Sequence, residues 1–111
     1  MRDGTLIGER ERDTLDMLLV ALCADFERRA AAISNHSVSA RTEAEYRYLN
    51  YKITAAAREI VTESQAHLFI KEIGERLGYV KSELYYMSES SYKQKKQQIK
   101  QSIARALHLK D

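Results

Sequence analysis

The chain has no proline, no tryptophan, one cysteine and only four glycines in 111 residues. These shortages exclude disulfide-built scaffolds, collagen-like repeats and turn-rich β architectures, all of which draw on one of those residues in quantity. No apolar run approaches the ~20 residues needed to span a bilayer, and the first residues mix acids with bases, so no targeting or membrane segment is expected. The expected compartment is the cytoplasm, with no membrane partner. Lone Cys23 has no second cysteine to pair with, which agrees with a reducing environment. His36, His67 and His108 are scattered, and neither a His-x-x-x-His nor a Cys-x-x-Cys pair exists. A metal site and a cofactor are therefore not expected.

What remains is 31% charged and 44% hydrophobic, a globular balance and not a disordered one. Length gives a single domain over residues 1–111. Charge is uneven along it. Residues 91–111 hold six bases and one acid, or +5, whereas residues 1–90 hold twelve bases and fifteen acids, or −3. A helix facing a polyanion shows such asymmetry, and so does a solvated one.

The glycines are Gly4, Gly8, Gly74 and Gly78, so residues 9–73 contain neither strong backbone punctuator and long helices are the default. Leu15, Leu18, Leu19, Leu22, Phe26, Ala30 and Ile33 recur at three and four and form the stripe of a first helix. The polar stretch 34–41 connects it to a second. Thr42 and Glu45 have capping-box spacing at the start of that helix. Its stripe is Tyr46, Leu49, Ile53, Ala56 or Ala57, and Ile60, near a 3.5-residue repeat that can pack along helix one or against a second chain. Residues 9–62 thus read as an antiparallel helical hairpin capable of joining two copies, a homodimer or other homo-oligomer. A third helix is predicted over Glu63 to Leu77, with Ala66, Phe69, Ile70, Ile73 and Leu77 inward and Gly78 as a left-handed C-cap. Ser88, Ser90 and Ser91 are alternative N-caps of a last helix reaching about Leu109, with Tyr92, Ile99, Ile103, Ala106 and Leu107 buried. The fold class is all-α: a small helical bundle with a long helix pair in front and a basic module at 63–111 behind it.

Function is best sought in that second half. In IKEIGERLGYVKSELYYMSE, residues 70–89, Gly74 stands where two crossing helices need a small residue and Gly78 where a turn tolerates positive φ. Ile73, Leu77, Tyr79, Leu84 and Met87 fall at inward spacings. The segment resembles the helix-turn-helix of phage and bacterial regulators over some 20 residues. The following SESSYKQKKQQIKQSIARALHLK is similar, in a second register, to the terminal recognition helix of small phage transcription regulators whose last module is like the DNA-binding region of sigma factors. There the helix from near Ser90 would enter the major groove. The resemblance implies double-stranded DNA as partner and regulation of transcription as function. Lysine suits phosphates and glutamine reads adenine edges, so Lys93, Lys95, Lys96 and Lys100 are the expected phosphate contacts and Gln94, Gln97 and Gln98 the expected base readers. Ser90 and Ser91 cap that helix, and Lys81 and Ser82 anchor the turn.

Other readings weigh less. All seven tyrosines lie between Tyr46 and Tyr92; they suit the wet edge of a core without tryptophan, and Tyr85 and Tyr86 also suit a partner or the sugar-phosphate backbone. Glu9, Arg10, Glu11, Arg12 and Asp13 look like surface ion pairing, and Arg28 and Arg29 like a solvated flank. No nucleophile, paired carboxylate or phosphate loop points to an enzyme. The rival class is a helical structural or adaptor protein of phage type, acting through the stripes of helices one and two and the tyrosines. A membrane-surface helix at 91–109 is poorer, because its apolar face is narrow.

Overall fold

The computed structural model describes residues 2–84 and 86–109, with side chains from Arg12 onward. Tyr85 and Lys110 lie outside the described residues, as do the side chains of Glu9, Arg10 and Glu11. The architecture is an all-helical bundle: α1 (Arg2–Ala24), α2 (Phe26–Asn35), α3 (Ala40–Arg58), α4 (Glu63–Glu75) and α5 (Glu89–Ala106), with one 3-10 turn at Tyr79–Lys81. No described helix is long and apolar enough to cross a membrane.

The stretch predicted as helix one is two helices, broken at Asp25 (φ −91°, ψ 3°). The break separates two packing tasks. Before it, α1 lies on α4 and touches α5; after it, α2 pairs with α3. The predicted long hairpin is therefore only α2 with α3. Arg29, expected to be solvated, is 3% exposed. Its guanidinium donates to the Leu22 carbonyl at 2.6 Å and to Asn50 Oδ1 at 2.7 Å, while Asn50 Nδ2 donates to the Phe26 carbonyl at 3.2 Å. These bonds serve carbonyls at the break and tie it to α3, and they offset part of the cost of burying the Arg29 charge.

Caps decide the boundaries. The connection after α2 is four residues, 36–39, shorter than the predicted 34–41. Ser39, not Thr42, is the N-cap of α3: its Oγ accepts from the Thr42 amide at 3.2 Å and donates to Thr42 Oγ1 at 3.1 Å. Thr62 caps α4 by accepting from the Gln65 amide at 3.4 Å. At the far end of α4 the left-handed residue is Arg76 (φ 57°), and Gly78 is extended (φ −94°, ψ 177°), which corrects the predicted glycine cap. The Leu77 amide reaching back to the Glu72 carbonyl at 3.0 Å closes a Schellman motif two residues earlier than predicted. Leu77 is left half-buried just past the helix end, its carbonyl accepting from the Lys96 ammonium at 2.5 Å.

One hydrophobic cluster takes residues from both halves of the chain, including Leu19, Cys23, Phe26, Ile53, Phe69, Ile70, Ile73, Leu84, Tyr92, Ile99 and Ile103. The α3 stripe is consumed here, since Ile53, Ala56 and Ala57 are buried and Tyr46, Leu49 and Ile60 half-buried. Gly74 sits at a helix crossing, but the partner is α1: a Cβ there would stand 2.6 Å from the Ala24 nitrogen. In the first helix-turn-helix register a second helix should follow Gly78. Instead Tyr79–Lys81 makes a single 3-10 turn and no helix resumes until Glu89.

Candidate nucleic-acid interface

The sequence permits three serines to begin the last helix, and geometry selects Ser88. Its extended backbone (φ −65°, ψ 156°) places Oγ to accept from the Ser91 amide at 3.2 Å. Glu89 then stands in the first turn, where the helix dipole favours an acid, and accepts an ion pair from Lys93 at 2.8 Å one turn on. Ser90 and Ser91 fall inside the first turn, Ser90 exposed and Ser91 half-buried.

Turned to solvent along the amino-terminal half of α5 are Ser90, Lys93, Gln94, Gln97 and Gln98, all exposed. Their spacing puts them on one side over successive turns. The opposite side, with Tyr92, Ile99, Ser102 and Ile103, is buried against the bundle, chiefly against α3. Ser102 Oγ donates to the Ala56 carbonyl at 3.1 Å, fixing the register of α5 on α3.

The lysines divide. Lys93 is exposed, and Lys95 is half-buried on a flank. Lys96 bends inward: its ammonium donates to the Leu77 carbonyl at 2.5 Å and stands 5.4 Å over the Tyr92 ring. It thus sits at the carbonyl end of α4, where a cation is favoured. Burial, with Lys100 next in weight, lowers its pKa from the ordinary lysine value. Lys100 is paired with Asp16 of α1 at 2.6 Å, its side chain 17% exposed. Of the four lysines expected to face phosphate, two therefore hold α5 to α4 and α1. The cause is that an amphipathic helix in a small bundle has two flanks beside neighbours, and Lys96 and Lys100 stand four apart on one of them. Lys81 is exposed on the 3-10 turn, which packs against α5. Ser82 is buried, its Oγ accepting from the Leu84 amide at 2.8 Å. It does hold the turn, but from inside, where no nucleic acid reaches it.

Behind the exposed face lies a group that the sequence reading missed. Glu72 of α4 is fully buried; its carboxylate accepts from the Tyr92 hydroxyl at 2.8 Å and from the Glu83 amide at 2.9 Å. One side chain thus ties α4, the connection and the start of α5. The Tyr92 ring stacks on Phe69 at 5.4 Å and meets Tyr79 at 5.6 Å, and the Tyr79 hydroxyl donates to the Met87 carbonyl at 2.7 Å. Between Tyr79 and Ser88 the connection lacks regular helix, yet it is held by Glu72, Ser82 and Tyr79. The only sequence signal was that Glu72 is one residue off the stripe of Phe69 and Ile73, and flank positions are as often wet as dry.

A cleft of about 310 Å³ between α1 and α5 is lined by Arg12, Asp13, Asp16, Gln97, Lys100 and Gln101 over Leu15, Leu19 and Ala104. Its centre is the Asp16–Lys100 ion pair. Among the described residues no three His, Cys, Asp or Glu side chains form a metal-sized group.

Burial pushes the Cys23 thiol up to about 12, against the opposing pull of Arg29 and Lys100, and pushes the Tyr92 hydroxyl up to about 12, with Glu72 adding to the effect. Both groups keep their protons more tightly folded than unfolded, so their contribution to stability is complete below pH ~9 and is lost as pH rises toward 12. Cys23 is accordingly expected to resist a thiol alkylating agent at pH 8 and to label only on unfolding. Labelling of the native protein at the rate of an exposed thiol would show that the α1–α4 seam is open.

No family model, no curated protein and no solved structure matches this chain.

Proposed function

We propose that the chain binds double-stranded DNA through the amino-terminal half of α5, as a small cytoplasmic regulator of transcription, and acts as a pair of copies. The observation that carries this reading is the exposed polar face of Ser90, Lys93, Gln94, Gln97 and Gln98, backed by a buried side that the Glu72–Tyr92 bond holds in place. A helix offered to the major groove requires both, reach on one side and rigidity on the other. The regulatory part rests on the resemblance of this segment to phage regulators, in the register where α4 supports and α5 reads.

The roles are narrower than the composition suggested. Lys81, Lys93 and Lys95 are the cations available to phosphates, and Gln94, Gln97 and Gln98 the side chains that reach base edges. Three phosphate contacts per copy give a dependence of log K on log salt with a slope of about −2.7, and a pair of copies doubles it to about −5.4.

The test is retention of mixed genomic duplexes as salt is raised. The triple change Lys81→Gln, Lys93→Gln, Lys95→Gln is expected to weaken binding at least tenfold and flatten the slope, with the melting temperature unchanged. Lys96→Gln and Lys100→Gln are expected to do the reverse, lowering the melting temperature while leaving the slope alone. A triple variant that binds with the wild-type slope would sink the assignment.

A helical adaptor is the second reading, and exposed Tyr48, Tyr51, Met17 and Leu18 favour it. Association with a protein that is insensitive to salt, with no DNA shift, would select it.

A further inference from the structure

The stripe of α3 read from the sequence faces inward, but the same helix carries a second repeat on its outer side. Arg41, Ala44, Tyr48, Tyr51 and Ala55 are spaced three, four, three and four apart, the period of a coiled-coil seam. Tyr48 is 50% and Tyr51 70% exposed, and Arg41 and Ala44 are exposed as well. An open depression at the start of this seam is lined by Arg41, Ala44, Glu45, Tyr46, Tyr48 and Leu49, all from α3. Among the described residues no other helix supplies a wall to it.

We infer that this face binds the same face of a second copy, in an antiparallel two-fold contact centred between Tyr48 and Tyr51. Charge selects that occupant. Glu45 and Lys52 lie on the same flank of the seam, Glu45 three residues before Tyr48 and Lys52 one residue after Tyr51. In an antiparallel pair like flanks meet, so Glu45 of each copy faces Lys52 of the other, twice by symmetry. Tyr48 of each copy then stands against Tyr51 of the other, and Ala44 against Ala55, which lets the helix ends approach. Lys52 is already turned toward the seam, its ammonium 5.6 Å over the Tyr48 ring. In a parallel pair unlike flanks meet, which sets Lys52 against Arg47 of the other copy and leaves Glu45 opposite Ala40, and like charges at a seam with no compensating pair disfavour it. A contact made by one helix face is small, so the pair forms in proportion to concentration.

The inference deepens the pairing part of the proposed function, and it is tested without DNA so that either can fail alone. The full chain is sized by sedimentation over a concentration series. The wild type is expected to pass from monomer to dimer. Glu45→Lys and Lys52→Glu, each alone, set like charges opposite one another at two places and are expected to weaken the dimer about tenfold or more. The double reversal Glu45→Lys with Lys52→Glu is expected to restore it, and Tyr51→Glu to abolish it. The three positions changed lie on the outer side, Glu45 and Tyr51 exposed and Lys52 half-buried, and helical circular dichroism is expected to be unchanged. A wild-type chain that stays monomeric, as it would if this face served a different protein, overturns the inference. So does a dimer indifferent to the single reversals, or one that the double reversal fails to rescue.

Discussion

Glu72→Ala is expected to lower the stability of the fold by about 3–4 kcal/mol. The substitution removes the nearest acceptor of two donors at once, leaving the Tyr92 hydroxyl only the Leu77 carbonyl at 3.4 Å. The Tyr92 hydroxyl, on a residue 1% exposed, loses its 2.8 Å acceptor, and the Glu83 amide loses its 2.9 Å acceptor. Each donor deprived of its close acceptor costs about 1–3 kcal/mol, and a small cavity adds to the sum. For a domain whose whole stability is on the order of 5–15 kcal/mol, that is a substantial fraction, visible as a fall in melting temperature of roughly 15 °C. Tyr92→Phe, which removes one hydroxyl and keeps the ring on Phe69, is expected to cost only about 1–2 kcal/mol. The two substitutions share a bond, so the double variant should lose about 1 kcal/mol less than the sum of the singles. Urea denaturation reads all three. A loss below about 1 kcal/mol for Glu72→Ala, or strict additivity, would mean that the carboxylate does not hold the connection.

The two central glycines are expected to respond in opposite directions. At Gly74 an added Cβ meets backbone, standing 2.6 Å from the nitrogen and 2.7 Å from the Cα of Ala24 and 2.8 Å from the Cys23 carbonyl carbon. Backbone cannot turn aside as a flexible side chain can, so α1 must move off α4. Overpacking of this kind costs about 1–3 kcal/mol even though alanine is the better helix former by about 1 kcal/mol. A net loss of about 2 kcal/mol is expected for Gly74→Ala, and more for Gly74→Val. Gly78 has no atom within 4 Å of its notional Cβ and no positive φ. Gly78→Ala is therefore expected to be neutral, or to stabilise by up to about 1 kcal/mol through the unfolded chain. Thermal melts of the two single variants decide the matter. Equal responses would place the α1–α4 crossing elsewhere.

The same pair shows how far the residues could be read in order. Gly74 was recognisable as a crossing point, because a lone glycine in an apolar helical pattern signals close approach. Which helix crosses there was not recognisable, since a small residue is equally suited to α1 or to a neighbour in a helix-turn-helix. Gly78 looked like the helix end on preference alone, but α4 stops at Glu75 with Arg76 left-handed, and the Leu77 carbonyl just beyond takes the ammonium of Lys96 from α5. Helix one was legible as a stripe, whereas its break at Asp25 was not, for the period runs through it almost unaltered. For the candidate interface, Ser90, Lys93, Gln94, Gln97 and Gln98 were legible as exposed polar positions. Lys96 and Lys100 were not separable from them, because a lysine's long stem serves a flank or a solvent face equally. Asp16, the partner of Lys100, is 84 residues away in sequence.

Local pattern by itself determined that this chain is helical, where most of its helices run, and which side of each is apolar; those properties depend on spacing within a few turns. Tertiary structure alone decided that α1 crosses α4, that Arg29 and Glu72 are buried, and that two of the four α5 lysines are bound to α1 and to the end of α4. The physical reason is that a polar side chain's environment depends on which distant segment supplies its hydrogen-bond partner, and helical periodicity within one segment carries no record of that.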